Sequence, residues 1–229
     1  MAADLTGKRI IVTGAATGIG RSTALRVSAN GAKVAAFDVN DADGATTTSD
    51  INEAGGDARY WHVDVRDETA VAGAVAAAET WLGGIDVLIH VAGVLQGAAV
   101  DLDEFPEEMW DTVVDINLRG SFVISKFVSG VMKKQRSGVI ILTASGAGVL
   151  GGSSSFAYGS SKGGVHGLAL VMEANLEIYG IRVYDVLPGA VATPLKVTQV
   201  GVMHEAGGGE GDLDQVGAAH CGEDVGVLG

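Results

Sequence analysis

A chain of 229 residues with 47% apolar and 5% aromatic side chains is long enough for one sizeable core, built from Val, Ile, Leu and Ala rather than rings. Its net charge of −13 argues against nucleic acid or an anionic membrane as partner, because phosphate binding is driven by Lys and Arg. The one cysteine, Cys221, allows no intrachain disulfide and suits a reducing, cytoplasmic setting; the N-terminal segment MAADLTGKRIIVTG reads as no secretory signal, and no apolar run reaches the ~20 residues of a membrane span.

Residues 8–13 form an aliphatic run that predicts a buried strand, followed by a glycine-rich turn over 14–20. Ile19, Thr23, Ala24 and Val27 recur at helical spacing, which predicts a helix over 19–30 stopped by Gly31. A second strand over 33–38 precedes a helix over 42–54, closed by Gly55 and Gly56, and a third strand over 60–65. An alanine-rich helix over 68–82 ends at Gly83 and Gly84, before a fourth strand over 85–91. Residues 107–135 read as largely helical, 139–143 as a fifth strand, 158–179 as a long helix and 181–187 as a sixth strand. These strands are continuous aliphatic runs and not alternating patterns, so helices are expected on both faces. The expectation is α/β: a single Rossmann-like domain over 1–200, built on a doubly wound parallel sheet. Residues 201–229 carry no Lys or Arg, are rich in glycine and acid, and read as a lid or tail.

The turn after the first strand contains Gly14, Thr17, Gly18, Ile19 and Gly20. Gly14 permits a sharp exit from the strand, Gly18 lets a pyrophosphate approach the backbone, and Gly20 lets the helix pack against the sheet. The helix N-terminus then offers free N–H groups and partial positive charge to phosphates, inside the βαβ context that gives such a turn its meaning. Asp38, ending the second strand, accepts hydrogen bonds from both adenosine ribose hydroxyls on this reading and repels a 2′-phosphate. Phe37, Val39, Asn40 and Thr17 bring no base to welcome that phosphate, so NAD is expected over NADP. The competing reading has Asp38 capping a helix or facing water. Asp64, beside Val65, either meets the adenine amino group or is a solvated strand end.

Tyr158 and Lys162 stand four residues apart and share a helix face, with Ser145 thirteen residues upstream of the tyrosine. A phenol of pKa ~10 needs roughly 4 kcal/mol to reach neutrality. A cation about 4 Å away supplies that much at an effective dielectric of ~20. Lysine is therefore expected to lower the tyrosine and make it a proton donor and acceptor.

With the glycine turn, Asp38, Asn117, Ser145, Tyr158, Lys162 and the run Pro188 to Thr193 in order, the chain resembles the classical short-chain dehydrogenase/reductase family over about residues 5–198. The resemblance implies Tyr158 as general acid/base, Lys162 as its modulator and a ligand of the nicotinamide ribose, and Ser145 as the group that orients the substrate oxygen. It implies that Asn117 holds a relay water, that Pro188, Val191 and Thr193 embrace nicotinamide, and that Ala92 and Gly93 leave room for adenosine. His90 replaces the amide usual before that segment and is expected to be structural. His62, His166, His204 and His220 lack metal-ligand spacing, and no metal is expected. Residues 223–228 look like the start of the helix leading to the family's last strand, so that helix and strand are expected to be missing and the sixth strand to form an edge.

Homo-oligomer contacts are expected through the two long helices, eased by Gly163, Gly164 and Gly167. Residues of about 195–214 fall where the family places its substrate lid, and their glycine-rich, acidic composition fits plain disorder equally; a pocket lined by Val94, Leu95, Val149 and Leu150 is expected for a small secondary alcohol or ketone. The activity implied is an NAD-dependent oxidoreductase. The alternatives are a non-catalytic NAD-binding sensor or scaffold, and an epimerase or dehydratase using NAD internally.

Overall fold

The computed structural model describes residues 4–153, 155–189, 191, 193 and 195. The expectations for the acidic segment 201–229, for the lid beyond Leu195 and for the family's last helix and strand lie outside them. Strands β1 (Arg9–Thr13), β2 (Lys33–Asp38), β3 (Asp57–His62), β4 (Val87–His90), β5 (Gly138–Thr143) and β6 (Ile181–Val186) form one sheet in the order β3-β2-β1-β4-β5-β6. Every neighbouring pair is parallel, as the aliphatic runs predict.

Alternation along the strands divides the core in two. Ile10, Val12, Val34 and Ala36 face α1 (Gly18–Ala29) and α2 (Asp41–Glu53), where Ala24, Val27 and Ile51 cover them. Ile11, Phe37, Leu88, Ile140 and Leu142 face the other way, under α3 (Glu68–Leu82), α5 (Gly120–Gln135) and α7 (Phe156–Leu176). Each fully buried aliphatic side chain contributes about 1.5–3 kcal/mol relative to an exposed one, so two filled faces hold the sheet. The helix ends carry their own signals. Asp67 accepts from the N–H groups of Thr69 and Ala70 at the start of α3, and Gly83 closes that helix at φ 79°. Among the described residues β6 has β5 as its neighbour and ends the sheet.

Two elements differ from expectation. β3 lies three residues earlier than predicted, because its pairing with β2 begins at Lys33–Asp57. The aliphatic Val63 that suggested a later strand makes a last backbone bond to the Asp38 carbonyl, 2.9 Å, and is buried beyond the strand end. The long helix after β4 is interrupted. α4 (Glu107–Val114) passes through one wide π turn (Asp115–Arg119) into α5, and that turn carries the fully buried Asn117. π turns recur at functional sites because the extra residue re-aims a side chain.

A short helix, α6 (Gly146–Val149), packs directly on α7. A Cβ on Gly148 would stand 2.3 Å from the Gly163 nitrogen, and one on Gly164 would meet the Leu118 side chain at 2.7 Å. Two of the three glycines expected at an oligomer contact are therefore occupied within the chain.

Candidate active site

A cleft of about 730 Å³ opens at the carboxyl ends of the strands, where the sheet order reverses between β1 and β4. Of the residues singled out from the sequence, Gly14, Thr17, Gly18, Ile19, Gly20, Asp38, Asp64, Val65, Ala92, Gly93, Ser145, Tyr158, Lys162, Pro188, Val191 and Thr193 all line it. Asn117 does not; it lies behind the wall. Val94 and Leu95 line the cleft as expected, but Val149 and Leu150 do not, and Leu150 is 86% exposed.

The glycine turn is shaped by close approach. A Cβ on Gly20 would lie 1.9 Å from the Gly14 carbonyl oxygen, and one on Gly14 would lie 2.8 Å from the Ala92 nitrogen. No side chain larger than hydrogen fits at either place. Thr17 caps α1 without its hydroxyl accepting from the helix, so the first N–H groups face the cleft uncapped by side chain. A cradle that a methyl group would fill and a helix terminus of this kind fit a dinucleotide pyrophosphate.

At the adenosine end, Asp38 Oδ2 accepts from the Ala16 N–H at 2.9 Å, and Oδ1 from the Asn40 N–H at 3.0 Å. These bonds lock the carboxylate beside the glycine turn, and each oxygen retains a lone pair. Asp64 is differently engaged. Both of its oxygens accept from Arg66, at 2.6 to 3.0 Å, and that guanidinium holds its carboxyl below the usual range. Arg66 also lines the cleft, and sequence reasoning missed it. The signal available was its two-residue spacing from Asp64.

At the other end, Ser145 caps α6 and its Oγ accepts from the Ala147 N–H at 3.2 Å, leaving the hydroxyl hydrogen to point elsewhere. Lys162 is 4% exposed, and its Nζ donates to the Thr143 carbonyl at 2.7 Å, with the Tyr158 ring centroid 5.8 Å away. The expected lowering of the tyrosine is not what this structure shows. Burial pushes the Tyr158 phenol up, against a smaller downward pull from the Ser145 hydroxyl, because the ammonium is turned into the Thr143 carbonyl. Lys162 is itself lowered to about 8 by burial, so it still carries most of its charge at pH 7.

Burying that ammonium costs stability. The fall from 10.5 to about 8 corresponds to roughly 3 kcal/mol. The unfolded chain keeps the proton up to about 10.5 and the folded chain only to about 8, so stability rises with pH between those values and the full cost is present below 8. Lys162→Met is therefore expected to raise the unfolding free energy at pH 7 by about 1 kcal/mol, after roughly 2 kcal/mol for the lost bond from a charged donor to Thr143. Urea denaturation at pH 7 and pH 10 checks this: the advantage should shrink at the higher pH, and a variant less stable than wild type at pH 7 would refute it.

His90 is buried behind the same wall. Thr13 Oγ1 accepts from the N–H groups of Val91 and Ala92, at 3.1 and 3.2 Å, so its own hydrogen is left for His90 Nδ1, 2.7 Å away. That bond makes Nδ1 the acceptor and puts the ring proton on Nε2, which has no partner among the described residues. Burial, with the Lys162 charge second, drops His90 to about 3, and it stays neutral. The expected structural role fits this geometry. Among the described residues no cluster of side chains could hold a metal ion, and no helix is long and apolar enough to cross a membrane.

The short chain dehydrogenase family profile matches residues 8–200. The chain belongs to this family. It is 36% identical over 216 residues to tropinone reductase-like 2 of Erythroxylum coca, covering 93% of this chain and 75% of that protein. It is 38% identical over 193 residues to 2,5-dichloro-2,5-cyclohexadiene-1,4-diol dehydrogenase of Sphingobium indicum, covering 84% and 76%. Among solved structures, NAD+-bound xylitol dehydrogenase superimposes with a TM-score of 0.84 at 36% identity, over 91% of this chain and 79% of that one. This short-chain dehydrogenase is thus an oxidoreductase, of a family that binds a nicotinamide cofactor.

Proposed function

We propose that this short-chain dehydrogenase transfers hydride between NAD(H) and a small secondary alcohol or its ketone, with Tyr158 as general acid/base. The observation that carries the reading is a single cleft with Asp38 at one end and Ser145, Tyr158 and Lys162 together at the other. Gly14, Gly18, Gly20 and the N-terminus of α1 would hold the pyrophosphate, Asp38 the adenosine ribose, and Pro188, Val191 and Thr193 the nicotinamide. The bound nicotinamide supplies or accepts the hydride.

Tyr158 is a protonated phenol at neutral pH, since burial raises it. In ketone reduction its hydroxyl gives that proton to the substrate oxygen. Ser145 donates a hydrogen bond to the same oxygen, with the hydrogen that its own helix leaves unused. Lys162, whose ammonium is held on the Thr143 carbonyl, would ligate the nicotinamide ribose. In alcohol oxidation the proton runs the other way. The test is a screen of secondary alcohols and ketones on the chain as given, read by NADH absorbance. Turnover of at least one compound is expected, and NAD binding with no turnover of any would end this reading in favour of a binding protein.

We also propose a homo-oligomer through the long helices. Trp110 on α4 and Phe122 on α5 are 39% and 53% exposed, and Leu170 and Val171 on α7 are exposed as well, which supports an apolar contact between copies. Light scattering is expected to give a multiple of the 23.2 kDa chain mass; a monomer at micromolar concentration would remove the proposal.

A further inference from the structure

The loop after β4 is tied to the first turns of α7 at two points. At one, the Val94 N–H donates to Asn117 Oδ1 at 2.8 Å, and Asn117 Nδ2 donates to the Val94 carbonyl at 2.9 Å. The same Nδ2 donates to Ser161 Oγ at 3.0 Å, and Ser161 Oγ donates to the Tyr158 carbonyl at 2.9 Å. At the other point, the Tyr158 N–H donates to Ser155 Oγ at 3.2 Å, and Ser155 Oγ donates to the Gln96 carbonyl at 2.6 Å. With the peptide links from Val94 to Gln96, these bonds close a ring that includes both backbone polar groups of Tyr158. An apolar contact runs beside it. Gly97 lies so close to the Phe105 ring that a Cβ there would stand 2.4 Å away, and Phe105 meets Phe156 edge-on at 6.0 Å.

Ser155 is the member of this ring that no simple helix-capping role explains. It caps α7, but it is 1% exposed and spends its own proton outside the helix, on the loop. Val94 and Leu95, within the span it anchors, line the same cleft as Ser145 and Tyr158. We propose that Ser155 is a positioning residue that sets the distance between this wall and the Tyr158 hydroxyl, and so seats the substrate carbonyl against its proton donor. The proposal rests on the reading of Tyr158 as that donor.

Ser155→Gly separates the two roles. Glycine costs a helix little at the capping position, yet it removes the donor to Gln96. Ser155→Thr keeps the hydroxyl. With Ser155→Gly, kcat/KM for a ketone substrate is expected to fall about tenfold or more, since misplacement near the reacting atoms is costly, while the NADH dissociation constant stays within about twofold. Amide hydrogen exchange at residues 94–97 is expected to quicken by about tenfold or more, because the anchored loop opens more often. Ser155→Thr should retain about a third or more of the activity and slow exchange at the same amides. The proposal fails if exchange at 94–97 is unchanged in Ser155→Gly, or if the threonine variant loses as much activity as the glycine one. Exchange is read without substrate. A wild-type protein silent on every alcohol and ketone would sink the Tyr158 reading, whereas unchanged exchange would sink the tie itself.

Discussion

Replacing Tyr158 by Phe is expected to lower kcat by about 10²–10⁴, the range that a positioned proton donor contributes, while NADH affinity stays within about twofold. The substitution deletes one oxygen from a half-buried ring and keeps its shape. The hydroxyl's protein partner is Ser145, so little structural bonding is lost, and the stability of the variant should match wild type closely. Initial rates of ketone reduction, followed by NADH absorbance, read the first quantity, and fluorescence titration reads the second. A variant keeping more than about a tenth of wild-type kcat would remove Tyr158 as the acid, because the loss would fall below what general acid catalysis supplies.

Exchanging Asp38 for Arg is expected to raise the ratio of kcat/KM with NADP to that with NAD by about a hundredfold or more. A carboxylate and a phosphate charge about 5 Å apart repel by about 3 kcal/mol at an effective dielectric of ~20, which is already a factor of about a hundred, and Arg converts repulsion into attraction. The neighbourhood offers little competition. Arg66, which lines the same cleft, is gripped by both oxygens of Asp64, and Arg21 is paired with Asp50. Affinity for NAD itself should also fall, because Asp38 no longer accepts from the N–H groups of Ala16 and Asn40, which hold the glycine turn beside it. Steady-state kinetics with both coenzymes decide the matter; an unchanged ratio would discredit Asp38 as the ribose ligand.

Much of the proposed cofactor end was legible because its chemistry is local. Gly14, Gly18 and Gly20 lie within seven residues, and the demand on each comes from a backbone turn that sequence alone announces. Asp38 follows from counting to the end of the second strand. The proposed catalytic end was legible as a set of residue types, Ser145, Tyr158 and Lys162, but not as an electrostatic state. Sequence alone offers one cation and one phenol in a medium of fixed dielectric. In the folded chain Lys162 reaches the Thr143 carbonyl and burial dominates, so the phenol moves up where it was expected to move down. Asn117 shows the same limit. Its side-chain amide is used by Val94 and Ser161, partners 23 and 44 residues away that no local pattern connects. The glycines of α7 suggest by sequence room for a second copy, yet Gly163 packs on Gly148 of the same chain.

The sequence by itself determined the parallel α/β sheet, the glycine turn and the family, since strand hydrophobicity, glycine spacing and short motifs are properties of neighbours along the chain. Tertiary structure alone decided where Lys162 spends its proton, which tautomer Thr13 imposes on His90, that Arg66 closes on Asp64, and that Ser155 and Asn117 tie the cleft wall to Tyr158. Those outcomes depend on which donors and acceptors meet once water is excluded, and the pairing of groups far apart in sequence is settled only by the packing of the sheet and its helices.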